Sequence, residues 1–113
     1  MKCKDQMQKI ERMQKKASEV SDFMKCFGSP HRLMILCHLA QGPKNVSELM
    51  ELTGIPQTSM SQHLNKLKSE GLIDCERDHR LLIYSITNPD VMKIMDAIYD
   101  IYCKESLDCP NEK

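Results

Sequence analysis

Residues 46–67, VSELMELTGIPQTSMSQHLNKL, constrain the fold more than any other stretch of this chain. A short amphipathic segment ends at Gly54, and a longer one follows after a brief turn. Glycine suits the left-handed backbone conformation at a helix end, so the pattern predicts two helices joined by a tight turn over residues 46–69. The apolar positions that would pack these helices together are Leu49, Ile55, Met60 and Leu64.

The outer face of the second helix carries short or flexible hydrogen-bonding groups and no acids. Such groups suit phosphates and the base edges in the major groove of DNA. An αα-hairpin with a solvated face has the same pattern and is the structural alternative. The residues of this helix that are predicted to contact DNA are Gln57, Thr58, Ser59, Ser61, Gln62, His63 and Lys66.

A β-hairpin is predicted over residues 72–86, because two short strand-like runs flank a charged tip in GLIDCERDHRLLIYSI. A wing of this kind can lie along the neighbouring minor groove or backbone, whereas a solvated turn is the alternative. The charges are mixed, since Glu76 and Asp78 flank an arginine. The tip residues predicted to contact DNA are Arg77, His79 and Arg80.

Two more amphipathic helices are predicted at the ends of the chain, over residues 5–27 and 89–104, and each carries an apolar stripe that needs a partner. A further helix begins at Ser29-Pro30, where a capping residue precedes a proline. The fold class is therefore mainly α with a β-hairpin wing, a winged helix–turn–helix in one domain over residues 1–113. The polar tail, residues 105–113, is predicted to fray.

Composition limits the function classes. The 16 basic and 16 acidic residues cancel, so DNA binding has to depend on the local distribution of charge. No apolar run approaches the roughly 18 residues of a membrane span, and no signal region is evident, so we expect a cytoplasmic location. The chain has no CxxC pair, no phosphate loop and no acid/base pair near a cysteine, so we expect neither an enzyme nor a cofactor.

Six cysteines are the compositional outlier. In a reducing cytosol they indicate metal binding, redox chemistry or burial. Cys37 lies in the apolar run RLMILCHLA, and Cys103 follows the aromatic end of the last helix in DIYCKE. Free cysteines are often buried and simply fill space, which is the plain alternative for this pair. Cys26 and Cys75 are predicted to be structural.

Three segments resemble the ArsR family of small bacterial winged-helix repressors: GSPHRLMILCHL, VSELMELTGIPQTSMSQHLNKLKSEGLI and the closing helix. The resemblance covers roughly residues 20–103. It implies a homodimer through the first and last helices, bound to double-stranded operator DNA with its recognition helices about 34 Å apart. Pro56 departs from the pattern, in which a serine-like cap precedes the recognition helix.

Members of this family usually respond to a metal, arsenite or a redox signal. Here the third helix has neither Cys nor His, and the last helix offers Asp96 and Asp100 without a His, which weakens both common metal sites. The ILCHL and IYC contexts resemble the dithiol branch of the family, the persulfide- or redox-sensing repressors of the BigR, SqrR and HlyU type. That resemblance implies that sulfane sulfur donors link Cys37 and Cys103 through a polysulfide bridge and release the operator.

The length of a bridge between Cys37 and Cys103 is a reason to expect a response to persulfide rather than to peroxide. A direct disulfide needs Cα atoms within about 7 Å, and added sulfur atoms relax that demand. Two alternatives remain open. One is a metal- or arsenite-responsive repressor that uses Cys103, Cys109 and a further thiol. The other is a small thiol enzyme or sulfur carrier.

Overall fold

The computed structural model describes residues 2–103, with side chains from residue 6 onward. Its order of elements confirms the predicted helix–turn–helix, wing and closing helix. In chain order the elements are α1 (Lys2–Lys25), α2 (Pro30–Leu39), β1 (Lys44–Asn45), α3 (Val46–Thr53), α4 (Gln57–Ser69), β2 (Ile73–Asp78), β3 (Leu81–Ile86) and α5 (Pro89–Tyr102).

Three helices begin at a capping side chain. The side chains of Ser29 and Asn88 accept backbone N–H groups from the first turns of α2 and α5, at 3.4 Å and 2.9 Å. α3 has a complete capping box, in which Asn45 and Glu48 each accept the other's backbone N–H at 2.8 Å. α4 begins after Pro56, which makes no side-chain capping bond because proline has no capping oxygen.

The capping box gives a testable contribution to stability. Asn45→Ala removes the acceptor for the Glu48 N–H, so we expect the free energy of unfolding to fall by about 1 kcal/mol. Urea denaturation at a fixed protein concentration measures this change. Ser47→Ala, an exposed position in the same turn, is the matched control and should change stability by less than about 0.5 kcal/mol. Equal effects of the two substitutions would contradict a stabilising role for the box.

The wing is a three-stranded antiparallel sheet of order β1-β3-β2. β2 and β3 form the predicted hairpin, whose tip is closed by the pair Asp78 and Leu81. β1 pairs with β3 through Lys44 and Tyr84. The sequence does not predict β1, because two residues are too few to show an alternating pattern. Since β1 leads directly into α3, this pairing ties the helix–turn–helix to the wing.

The core packs α2, α3, α4 and α5 against the sheet. Its fully buried members are Cys26, Ile35, Leu36, Leu49, Met60, Leu64, Leu67, Leu72, Val91 and Met95. The four residues predicted to pack the helix–turn–helix are all among the buried side chains, with Ile55 at 3% exposure. The predicted turn is also present, since Gly54 has φ 77° and donates its N–H to the Met50 carbonyl at 2.8 Å.

The terminal helices end earlier than predicted. α1 ends at Lys25 rather than residue 27, because Cys26 and Phe27 donate to carbonyls three residues back at 3.1 Å and 2.9 Å in a tightened final turn. α5 ends at Tyr102. The predicted tail, residues 105–113, lies outside the described residues. None of the helices in the described part of the chain combines the length and apolarity that a membrane span requires.

Candidate functional site

The turn between α3 and α4 is fixed by Thr53, which is not among the residues predicted to form it. The Thr53 hydroxyl donates to the Leu49 carbonyl at 2.6 Å and accepts the Ile55 N–H at 3.2 Å. These bonds, together with the left-handed backbone of Gly54, set the path of the chain into α4. The orientation of α4 is therefore determined by local hydrogen bonds as well as by the core beneath it.

One face of α4 is buried and the opposite face is open. Met60, Leu64 and Leu67 point inward. With about 3.6 residues per turn, the open face consists of Thr58, Ser61, Gln62, Asn65 and Lys66. Of the predicted DNA contacts on this helix, Gln57, Thr58, Ser61, Gln62 and Lys66 are exposed, whereas Ser59 and His63 are half-buried. Asn65 is not among the predicted contacts, although its carboxamide has the same donor and acceptor chemistry as that of Gln62.

His63 differs from the other predicted contacts because it packs against α2. Its ring meets the His31 ring edge-on at a centroid distance of 5.5 Å. Burial, the Arg32 guanidinium and His31 lower the pKa of the His63 imidazole. A neutral, half-buried ring is a poor partner for a phosphate, so its predicted contact with DNA stays a prediction.

One of the two lysines in the last turn of α4, Lys66, forms a solvent-accessible ion pair. Lys66 Nζ lies 3.4 Å from Glu70 Oε2 at the end of the helix. Exposed pairs of this kind contribute little to stability, so a phosphate can replace the carboxylate at small cost. The open face of α4 carries no acid before Glu70.

The wing presents all three of its predicted contacts to solvent, since Arg77, His79 and Arg80 are exposed. His79 occupies the left-handed region at φ 62°, in a two-residue loop between Asp78 and Leu81. Its Nε2 atom lies 3.7 Å from an Asp78 carboxylate oxygen. The tip therefore offers basic groups with one acid between them, which is the mixed pattern that the sequence shows.

The two predicted sensing thiols lie on different elements and share a tyrosine. Cys37 is half-buried in α2, and Cys103 is exposed at the C-cap of α5, where its N–H donates to the Tyr99 carbonyl at 2.7 Å. Both thiols are free. Burial, a hydrogen bond with the Cys37 side chain and the nearby Cys37 and Cys103 sulfurs raise the pKa of the Tyr99 phenol to about 12. One phenol is thus in contact with Cys37 and within electrostatic range of Cys103.

The remaining cysteines divide by environment. Cys26 is fully buried in the core, as a structural residue should be, and burial raises the pKa of its thiol. Cys75 is half-buried in β2 and accepts a hydrogen bond from Lys68, a contact that the sequence does not predict. Among the side chains that the structure describes, residues 6–103, no cluster of three or more His, Cys, Asp or Glu could hold a metal ion. Cys109, the alternative ligand with Cys103, lies outside the described residues.

Apolar side chains are exposed along both terminal helices. On α1 they form a stripe of Met7, Ile10, Met13 and Met24, exposed by 62%, 63%, 54% and 46%. On α5, Ile101 and Tyr102 are exposed by 68% and 77%. Contiguous exposed apolar surface on a small protein usually marks an interaction site.

Comparison with known proteins points to a single family. The family model described as bacterial regulatory protein, arsR family, matches residues 29–74. The chain is 36% identical over 98 residues to the HTH-type transcriptional regulator YgaV of Escherichia coli strain K12. That alignment covers 86% of this chain and 99% of the relative.

Solved structures agree with this match. The crystal structure of the transcriptional repressor BigR from Xylella fastidiosa has a TM-score of 0.76 and 34% identity, and the alignment covers 82% of this chain and 95% of that one. The solution structure of the homodimeric winged helix-turn-helix DNA-binding domain of Mb0332 from Mycobacterium bovis has a TM-score of 0.72 and 31% identity, with 86% and 89% covered. These likenesses confirm the winged helix–turn–helix fold.

Proposed function

The chain belongs to the arsR family of bacterial regulatory proteins, and we propose that it is a homodimeric repressor that senses sulfane sulfur. Like its relatives, it is a DNA-binding transcriptional regulator and not an enzyme. In the proposed mechanism, persulfide or polysulfide donors, or another thiol oxidant, link Cys37 to Cys103. The link lowers the affinity of the dimer for its double-stranded operator.

The position of Tyr99 is the observation that carries this proposal. Its phenol is hydrogen-bonded with the Cys37 side chain of α2, and the Cys103 sulfur at the end of α5 is within electrostatic range of the same phenol. Cys103 lies one turn beyond Tyr99, at the C-cap of the helix. A bridge of added sulfur atoms spans a separation that a direct disulfide cannot.

The chemistry balances with a persulfide donor, R–S–SH. Each thiolate attacks the terminal sulfur of a donor, which gives a cysteine persulfide and releases the thiolate R–S⁻. The two persulfides then condense. The outer sulfur of one attacks the cysteine Sγ of the other and displaces its outer sulfur, so a trisulfide forms between Cys37 and Cys103 and H₂S leaves. The protein gains one sulfur atom and loses two hydrogens.

The bridge would act through the dimer helices. Exposed stripes on α1 and α5 support a two-fold dimer built on these helices, and Mb0332, of the same fold, is homodimeric. A covalent link from α2 to the end of α5 ties the core around the helix–turn–helix to that interface. Because two recognition helices have to match half-sites about 34 Å apart, a small rotation between subunits weakens binding.

The open face of α4 should carry most of the sequence recognition. Gln62→Ala removes a carboxamide that can form two hydrogen bonds with the edge of one base. We therefore expect each half-site to lose about 1–3 kcal/mol of binding free energy. Fluorescence anisotropy with an operator duplex measures this loss. Gln41→Ala, an exposed glutamine beyond α2, is the matched control and should bind as the parent protein does. Unchanged affinity of Gln62→Ala would contradict this assignment.

The response to three inducers applied separately tests the proposal. Reduced protein is treated with a persulfide donor, with zinc and with arsenite, and operator affinity is measured after each treatment. We expect the persulfide donor to release the operator, and zinc and arsenite to leave the affinity unchanged. Release by arsenite that is lost in Cys109→Ser would instead support the alternative built on Cys103 and Cys109.

A further inference from the structure

A lysine, a cysteine and a tyrosine meet where α4 adjoins the wing. Lys68 Nζ donates a hydrogen bond to Cys75 Sγ at 3.4 Å. Cys75 in β2 lies directly opposite Tyr84 in β3, so both side chains project from the same face of the sheet. Tyr84 is buried, Cys75 is half-buried and Lys68 is exposed. The sulfur is therefore covered on the tyrosine side and reachable on the lysine side.

Each of the two partners of Cys75 is affected by it. The hydrogen bond to Cys75 and the charge of its sulfur raise the pKa of the Lys68 ammonium. Burial first, and then the Cys75 sulfur, raise the pKa of the Tyr84 phenol. These shifts agree with the register and the distance, which place the sulfur between an ammonium and a phenol.

We propose that Cys75 and Lys68 form a second modification site, one that reacts with hydroperoxides and closes as a sulfur–nitrogen crosslink between the wing and the end of α4. The Lys68 nitrogen is in contact with the sulfur, and its flexible four-carbon stem can cover the remaining distance. The other cysteines with described side chains have different neighbours. Cys26 is enclosed by the core, and Cys37 faces the Tyr99 phenol.

The reaction proceeds in two balanced steps. The Cys75 thiolate attacks one oxygen of a hydroperoxide, R–O–O–H, and the O–O bond breaks. Cys75 becomes a sulfenic acid, and the Lys68 ammonium gives a proton to the departing R–O⁻, so that R–OH and a neutral amine remain. The amine then attacks the sulfenic sulfur, water leaves, and a Cys75–S–NH–Lys68 bond forms. The hydroperoxide takes the two electrons, and the protein loses two hydrogens.

The crosslink removes one positive charge from the end of α4 and fixes that end to β2. Its effect on operator affinity rests on the proposed function, because it assumes that α4 reads DNA. The crosslink itself does not depend on that function. The crosslink is therefore detected by the mass of a tryptic peptide, a measurement that gives a result even if the protein does not bind the operator.

The reduced protein, residues 1–113, is treated with tert-butyl hydroperoxide and then digested with trypsin. Mass spectrometry identifies the peptides. In the untreated protein, cleavage follows Lys68. After crosslinking, that cleavage is blocked, and we expect a peptide of residues 67–77 that is two hydrogens lighter than its sequence. Dithiothreitol added before trypsin should restore cleavage.

Variants separate the role of the amine from that of the charge. Lys68→Arg keeps the charge but has no nucleophilic amine, so we expect no crosslink and a sulfenic acid that dimedone traps at Cys75. Lys68→Met also lacks the proton donor and should slow sulfenic acid formation at Cys75 by at least about tenfold. Lys66→Arg on the same helix should leave crosslinking intact. The proposal is overturned if Cys75 resists the hydroperoxide, or if it is oxidised in the parent protein without the crosslinked peptide.

Discussion

A single carboxylate in the apolar stripe of α1 is expected to dissociate the proposed dimer and to lower operator affinity by about 10²–10⁴-fold. Ile10→Glu is the sharpest form of this experiment, because Ile10 is 63% exposed in the middle of the stripe. The substitution removes nothing from the core of the subunit, so the monomer should stay folded. A charge buried between two α1 helices is costly, since it would be desolvated without a partner. A free monomer reaches one half-site at a time and loses the gain from binding two together.

Light scattering after size-exclusion chromatography measures the dissociation, and anisotropy with the operator duplex measures the affinity. Leu52→Glu is the matched control, because Leu52 is 50% exposed but lies on α3 and not on a terminal helix. It should remain dimeric. A dimeric Ile10→Glu that binds the operator normally would show that another surface forms the dimer.

Loss of either of the two proposed sensing thiols, Cys37 or Cys103, is expected to abolish induction completely. In the parent protein the bridge should reduce operator affinity by about 5–150-fold, the usual range for coupling between two sites. Cys37→Ser and Cys103→Ser each leave one thiol of the pair. That thiol can carry a persulfide but cannot form the Cys37–Cys103 bridge. We therefore expect both variants to bind the operator with the parent affinity when reduced, and to keep it after treatment with a persulfide donor.

Cys75→Ser is the matched control for these two variants, because it removes a partly exposed thiol that lies outside the Cys37–Tyr99–Cys103 group. It should respond to the persulfide donor as the parent protein does. An unchanged response in Cys37→Ser would rule out the bridge. A response that survives in Cys103→Ser alone would mean that Cys37 acts with a different partner.

The sequence predicts the fold well where local signals act over a few residues. Helical spacing, Gly54 and the Asn45–Glu48 capping pair define α3, the turn and the length of α4 to within a residue or two. The end of α1 is less well predicted, because Cys26 and Phe27 continue the apolar pattern while the backbone leaves the helix. β1 cannot be predicted at all from its own two residues, since it exists only through its pairing with β3.

The site is harder to predict because its contacts join elements that are distant in the sequence. The exposed face of α4 follows from helix geometry, but the packing of His63 on His31 requires the crossing of two helices. Cys37 and Tyr99 are separated by most of the chain, and no spacing rule brings them together. Lys68 and Cys75 are close in sequence, yet the turn between a helix and a strand decides whether they meet.

Control of DNA binding by the Cys37–Cys103 bridge is tested by a titration of the parent protein with a persulfide donor, in which operator affinity and bridge formation are followed together. Peptide mapping quantifies the Cys37–Cys103 bridge within one chain, and anisotropy gives the fraction of protein that still binds DNA. We predict that the two quantities change in proportion, and that dithiothreitol reverses both. Full conversion to the bridged form with unchanged operator affinity would show that the bridge does not control DNA binding.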